Sequence, residues 1–270
     1  MIQFEKYHGT GNDFIIINHD DLKNFKTINP SDLARKVCDR HFGIGADGMM
    51  IAKESIIADV KMEFYNADGS LAPMCGNGIR CFAKYVFDHK RITDNIFNVE
   101  TLAGIMKVIV TNKGIQPTQV TINLGAPNFE SAFGDKAIDA HDKTFNLSTL
   151  TMGTLHAVIH VDDLDAIDVS FYGKALESHN QFPQKINVNF VEIIDRTHIK
   201  VSTFERGAGK TLSCGTGSAA AVVVSALKGL TENCVQVTVP GGLLYIDVKS
   251  DSVLMTGPAV LICSGTYTYT

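Results

Sequence analysis

Short apolar and β-branched runs, separated by glycine and polar turn residues, make up most of the chain. Phe14-Ile15-Ile16-Ile17 follows Gly9-Thr10-Gly11-Asn12-Asp13, a pattern that reads as strand, tight loop, strand. Apolar segments recur at 49–51, 60–65, 96–99, 105–110 and 120–124, and most are expected to be strands. Helical spacing is rarer. Residues 30–42 predict a helix with Ser31 as its N-cap and Leu33, Ala34 and Val37 on one face. Only two later segments are well-signalled helices, and their starts resemble each other. Cys75-Gly76-Asn77-Gly78 leads into Ile79, Phe82, Ala83, Val86 and Phe87, and Cys214-Gly215-Thr216-Gly217 leads into residues 219–227. The second helix is almost entirely small and aliphatic, which predicts burial on all sides, as in a central helix wrapped by strands. Each tetrad falls in one half of the chain with strands around it, so the pattern suggests two similar lobes with a linker near residues 114–117.

Composition narrows the function. The 270 residues are 45% apolar and 20% charged, as in an ordinary globular enzyme. A formal net charge of -5, with lysine and arginine scattered singly, lacks the basic footprint that nucleic acid or an anionic membrane surface would select. A small-molecule substrate is expected. The N-terminus reaches Glu5 and Lys6 without a long apolar stretch, so no export signal is read there. The weakly polar run 217–227 falls short of the ~20 residues that span a bilayer. Cys38, Cys75, Cys81, Cys214, Cys234 and Cys263 are thinly spread, which fits reduced thiols in a cytoplasm. Their spacing does not match a zinc site, and no metal is expected.

A cysteine at a helix start sits where unpaired backbone N–H groups and the helix dipole favour a thiolate, so its pKa is expected to fall toward neutrality. Flanking glycines let the same amides hold a carboxylate. Alone, one such tetrad reads as a buried thiol beside a turn. Two of them suggest an acid and a base. If the lobes face each other, a thiolate can take the proton from one face of an α-carbon while a thiol returns one to the other, inverting the stereocentre without a cofactor.

Met74-Cys75-Gly76-Asn77-Gly78-Ile79-Arg80-Cys81 and the run from Glu205-Arg206-Gly207-Ala208-Gly209 to Cys214-Gly215-Thr216-Gly217 resemble the two signatures of the diaminopimelate epimerase family. The likeness runs the length of the chain, through His8-Gly9-Thr10-Gly11-Asn12-Asp13-Phe14, Gly43-Ile44-Gly45-Ala46-Asp47-Gly48, Asn66-Ala67-Asp68-Gly69 and Pro240-Gly241-Gly242. The resemblance implies an α+β fold of two pseudo-symmetric lobes, each a mostly antiparallel or mixed sheet wrapped around a central helix. Residues 1–117 with 261–270 would form the lobe carrying Cys75, and 118–260 the lobe carrying Cys214. It implies interconversion of L,L- and meso-2,6-diaminopimelate in lysine and cell-wall precursor synthesis, with no cofactor; a homodimer is compatible with it. Cys75 and Cys214 would be the acid/base pair, with the amides of Gly76, Asn77, Gly215 and Thr216 on the substrate carboxylate. Asn12, Asn66, Asn187, Glu205 and Arg206 match substrate-binding positions, and His156 matches a histidine near the first cysteine. Thr154, Gly48 and Lys210 depart from the family pattern. Thr154 replaces an asparagine that helps read the far end of the substrate, and its hydroxyl offers one donor instead of two. Lys210 is expected to face solvent.

Other readings are weaker. Gly207-Ala208-Gly209-Lys210-Thr211 imitates a phosphate-binding loop, but Phe204 stands where its first glycine is required. Proline-racemase-like proteins also use paired cysteines, yet their first signature carries histidine where this chain has Asn77. A non-catalytic thiol switch would need the two thiols close enough to oxidise.

Overall fold

The opening hairpin shows how local chemistry sets up the architecture. In the computed structural model, which describes residues 1–23, 25, 28–111, 118–130 and 135–269, β1 (Ile2–Gly9) and β2 (Asn12–Asn18) pair with Gly9 opposite Asn12. The two connecting residues, Thr10 and Gly11, both have positive φ, 50° and 88°, the turn geometry whose twist matches antiparallel strands. A β-branched residue rarely adopts this conformation. Here it carries the Thr10 hydroxyl to Asn77, in the first turn of the helix after Cys75.

The chain continues through α1 (His19–Leu22), α2 (Pro30–Cys38), β3 (Gly48–Lys53), β4 (Val60–Asn66), β5 (Leu71–Ala72), α3 (Gly76–Asp88), β6 (Ile96–Thr101), β7 (Gly104–Thr111) and β8 (Gln119–Asn123). Then follow β9 (Lys136–Ala140), β10 (Lys143–Met152), β11 (Thr154–His160), α4 (Val169–Glu177), β12 (Asn187–Asp195), β13 (His198–Glu205), β14 (Gly209–Lys210), α5 (Gly215–Leu227), β15 (Cys234–Val239), β16 (Gly242–Val248), β17 (Val253–Pro258) and β18 (Val260–Tyr267). The contacts divide the chain into two units, Met1–Ile122 with Gly257–Thr270, and Asn123–Thr256. These divisions fall a few residues from those expected from the sequence, and the expected linker at 114–117 lies outside the described residues.

Each unit repeats one plan. In the first, the strand order is β18-β1-β2-β3-β4-β6-β7-β8, with β2–β3 and β4–β6 parallel and the other neighbours antiparallel. In the second it is β9-β10-β11-β12-β13-β15-β16-β17, with β11–β12 and β13–β15 parallel at the corresponding places. The short strands β5 and β14 attach to β4 and β13 just ahead of α3 and α5. The chain's last strand, β18, takes the position in the first unit that β9 takes in the second.

Two helices cover opposite faces of each sheet, which explains why β2 and β12 contain continuous buried runs instead of alternating. Ile15 and Ile17 join Leu33, Ala34 and Val37 of α2 in one core, while Phe14 faces Gly78 of α3. In the second unit Ala157 and Ile159 join Val169, Tyr172 and Leu176 of α4, while His160 bonds Ser225 of α5. Strands β1, β2, β3 and β7 all touch α3, and β10, β11, β12, β13 and β16 all touch α5, so each sheet wraps its helix. Accordingly α5 is buried without interruption from Gly217 to Ser225.

Three local expectations are corrected. The cap of α2 is Asn29, whose side chain accepts from the Ser31 amide and leaves Pro30 at the first helical position, where its missing N–H is harmless. The helix ends at Cys38 instead of reaching Phe42, because Asp39 is extended and its carboxylate takes the His41 and Phe42 amides. Helices α1 and α4 were unforeseen; α4 is announced by Asp168, which caps the Phe171 amide. No helix among the described residues is long and apolar enough to cross a membrane.

Candidate active site

Cys75 and Cys214 are both N-caps, extended at φ -136° and -115°, and each starts a helix whose first three amides have no intrahelical acceptor. No acidic residue occupies the first turn of either helix, so no carboxylate of the helix itself competes there for an anion.

Around Cys75 the first unit gathers Asn12, Gly76 and Asn77. Asn12 Oδ1 lies 3.6 Å from Cys75 Sγ and 3.4 Å from Asn77 Nδ2. The other end of the Asn12 amide donates to Asp47, which Arg40 ties to Asp13 with contacts of 2.8 and 2.7 Å. Burial opposes ionisation of Asp13, but hydrogen bonds from Arg40 and Lys6 outweigh it and hold the carboxyl below its ordinary pKa. Arg80, one turn into α3, is fully buried and donates to Thr10 Oγ1 at 3.2 Å and the Gly76 carbonyl at 3.3 Å, while desolvation lowers its pKa. Asn66 is exposed, paired in register with Gly48, and its amide donates to Ser70 at 2.9 Å.

Around Cys214 the second unit gathers Thr216, Glu205, Arg206, Asn187, Thr154 and His156. Cys214 is 6% exposed, with Sγ 3.6 Å from Thr216 Oγ1. Glu205 lies against the thiol and accepts from Thr211 at 2.7 Å. The expected fall in thiol pKa is reversed here. Burial and the Glu205 carboxylate push Cys214 upward, and the opposing hydrogen bonds from Thr216 and the Gly217 amide do not compensate. Cys214 therefore rests as a thiol.

Asn187 Oδ1 accepts from the Arg206 amide at 2.9 Å, and its Nδ2 donates to Thr154 Oγ1 at 3.0 Å and the Leu155 carbonyl at 3.1 Å. The Arg206 guanidinium donates to the Gln184 carbonyl at 3.2 Å, so Glu205 and Arg206 have separate partners. Thr154 Oγ1 is 3.1 Å from His156 Nε2. His156 is buried, and desolvation, helped by the Arg206 charge, lowers its pKa to about 3. Lys210 is exposed, as expected.

The residues fall on matching places of the two plans. Phe14 opposes Gly48 in parallel register as His156 opposes Asn187, and Asn66 and Glu205 precede their cysteines by the same number of residues. The diaminopimelate epimerase family model matches residues 4–130 and 148–262. The chain belongs to the diaminopimelate epimerase family. It is 42% identical to the diaminopimelate epimerase of Alkaliphilus metalliredigens over 98% of this chain and 97% of that one. Identity to the diaminopimelate epimerase of Carboxydothermus hydrogenoformans is also 42%, over 98% and 99%. Among solved structures, a phenazine biosynthesis protein of the PhzF family from Bacillus anthracis superposes with a TM-score of 0.77 at 15% identity, covering 99% of both chains; it shares the fold.

Membership of the diaminopimelate epimerase family agrees with the motifs read from the sequence. Two residues of the Cys214 side were missed, Asn189 and Thr203. Each sits in an apolar strand and reads there as filler, and only the β12–β13 register, which pairs Asn189 with Thr203, brings them beside His156.

Proposed function

We propose that this chain interconverts L,L- and meso-2,6-diaminopimelate by cofactor-independent two-base proton transfer through Cys75 and Cys214, in lysine and cell-wall precursor synthesis. The observation that carries the reading is the repetition, within a member of this family, of a cysteine-capped helix at the same point of two identical strand orders. One sulfur, as thiolate, takes the α-proton and becomes a thiol; the electron pair left on the α-carbon is delocalised into the neighbouring carboxylate. The other sulfur gives its proton to the opposite face and becomes the thiolate. The helix-terminal amides of Gly76, Asn77, Gly215 and Thr216 suit the charge that grows on that carboxylate. Each sulfur is the base in one direction of the reaction and the acid in the other, and the resting thiol at Cys214 is the form that donates a proton. Asn12, Asn66, Asn187, Glu205 and Arg206 hold the substrate in this reading. Neither Cys75 nor Cys214 is tied up in a disulfide, so both sulfurs are available to carry a proton.

The test is incubation of the purified, reduced protein with L,L-diaminopimelate in deuterium oxide, followed by mass spectrometry and chiral separation. Meso product carrying deuterium at one α-carbon is expected. Folded protein that yields neither product nor exchange refutes the proposal.

A further inference from the structure

The second unit carries a polar trio where the first carries an apolar one. In the first unit Phe14, Met50 and Phe64 lie under the α3 head, with the two rings edge-on at 5.9 Å and Met50 Cε 2.2 Å from where a Gly78 Cβ would stand. The registers β2–β3–β4 and β11–β12–β13 put His156, Asn189 and Thr203 at the matching places. There Asn189 Oδ1 is 2.2 Å from where a Gly217 Cβ would stand. The fold is thus satisfied by an apolar trio, and burying three polar groups is unfavourable unless each is hydrogen-bonded.

Their bonds admit one arrangement of protons. Asn189 Nδ2 faces the Ala157 carbonyl at 2.9 Å, which can only accept, so the amide cannot be flipped. Its second hydrogen points at His156 Nδ1, 3.2 Å away, which must therefore accept, while Thr203 donates to Asn189 Oδ1 at 2.9 Å. A proton on Nδ1 would set donor against donor, so the ring is neutral and carries its hydrogen on Nε2. Nε2–H donates to Thr154 Oγ1. The Asn187 orientation is fixed likewise by the Leu155 carbonyl and the Arg206 amide, and its Nδ2 donates to the same oxygen. Thr154 Oγ1 thus receives two hydrogen bonds, and its own hydrogen remains to be donated outward. Thr154 is exposed, and Gly153 beside it is next to Thr216 at the α5 head.

We infer that Asn189 and Thr203 are positioning residues that lock His156 as its neutral Nε2–H tautomer, making Thr154 a donor-only hydroxyl for an acceptor oxygen of the ligand. Such a group takes a carboxylate oxygen and refuses an ammonium. The ligand part rests on the amino-acid epimerase reading; the tautomer part does not.

The two parts are tested separately. Protein labelled with 15N in its histidine rings, with the His156 signals identified by their loss in His156→Phe or their displacement in Thr154→Val, is expected to show the neutral Nε2–H pattern between pH 6 and pH 8. An Nδ1–H or imidazolium pattern overturns the lock, whatever the activity. In epimerase kinetics Thr154→Val is expected to raise KM by about tenfold with a smaller change in kcat, and Thr154→Ser to restore it. Unchanged KM in Thr154→Val, with wild-type turnover, overturns the donor role. Wild-type protein with the locked tautomer but no turnover overturns the epimerase reading alone.

Discussion

Cys75 is half-buried and its sulfur meets a neutral amide, Asn12, whereas Cys214 is almost fully buried and meets a carboxylate, Glu205. Both cap helices of the same length, entered from the same hairpin, on sheets of the same strand order. The difference lies in what the sheets supply. Asn66 stands where Glu205 does, and Phe14, Met50 and Phe64 where His156, Asn189 and Thr203 do. A duplicated frame thus gives two helix heads of like geometry and unlike electrostatics, which is what a reaction needing one thiol and one thiolate demands.

The largest expected effect tests whether the two heads act together. Cys75→Ala and Cys214→Ala are each expected to lower epimerisation by about a thousandfold or more, since a positioned acid or base contributes about 10²–10⁴. Retention of full turnover by either variant, measured by product formation, would leave the comparison without catalytic meaning.

Next comes the contrast beneath the helix heads. Gly217→Ala drives a Cβ into Asn189 Oδ1, held in a network, while Gly78→Ala meets the free end of Met50. Gly217→Ala is expected to lose about 1–3 kcal/mol in urea denaturation and Gly78→Ala clearly less, because a methionine terminus can swing aside. Equal losses would show that the polar trio is no stiffer than the apolar one.

Acid separates the units in the same way. Burial holds the folded pKa of His156 at about 3 and of His160 at about 4, below the ordinary 6.5. As pH falls through 6.5 the unfolded chain takes up protons that the folded one refuses, so stability falls until the folded values are reached. For His156 the slope approaches about 1.4 kcal/mol per pH unit. His156→Phe, which installs the ring that Phe14 supplies in the first unit, is expected to flatten this dependence. An unchanged slope in its urea midpoints between pH 6 and pH 4 would remove His156 as the cause.

A smaller effect concerns reactivity. Glu205→Gln removes the charge that pushes Cys214 upward, so alkylation of Cys214, followed by peptide mass spectrometry, is expected to begin at lower pH than in the wild type. Cys75 should react as before. Identical onset at Cys214 would leave burial as the whole cause.

Much of this was legible in particular residues. Gly11 and the Phe14–Ile17 run announced the hairpin, and two cysteines followed by glycines announced α3 and α5. Asn29 and Asp168, both good caps, were overlooked because Ser31 competed for the first and weak periodicity hid the helix after the second. Lys210, which lies past the Glu205-Arg206 pair in the sequence, is exposed as expected.

By itself the sequence determined the two cysteine-headed helices and suggested the duplication, because capping, glycine conformation and apolar spacing are local properties of neighbouring residues, and it pointed to the family through the motifs it resembles. Only the tertiary structure decided that Cys214 rests as a thiol and that Thr154 is an outward donor. Both depend on which side chains from distant strands come within hydrogen-bonding distance in a volume from which water is excluded.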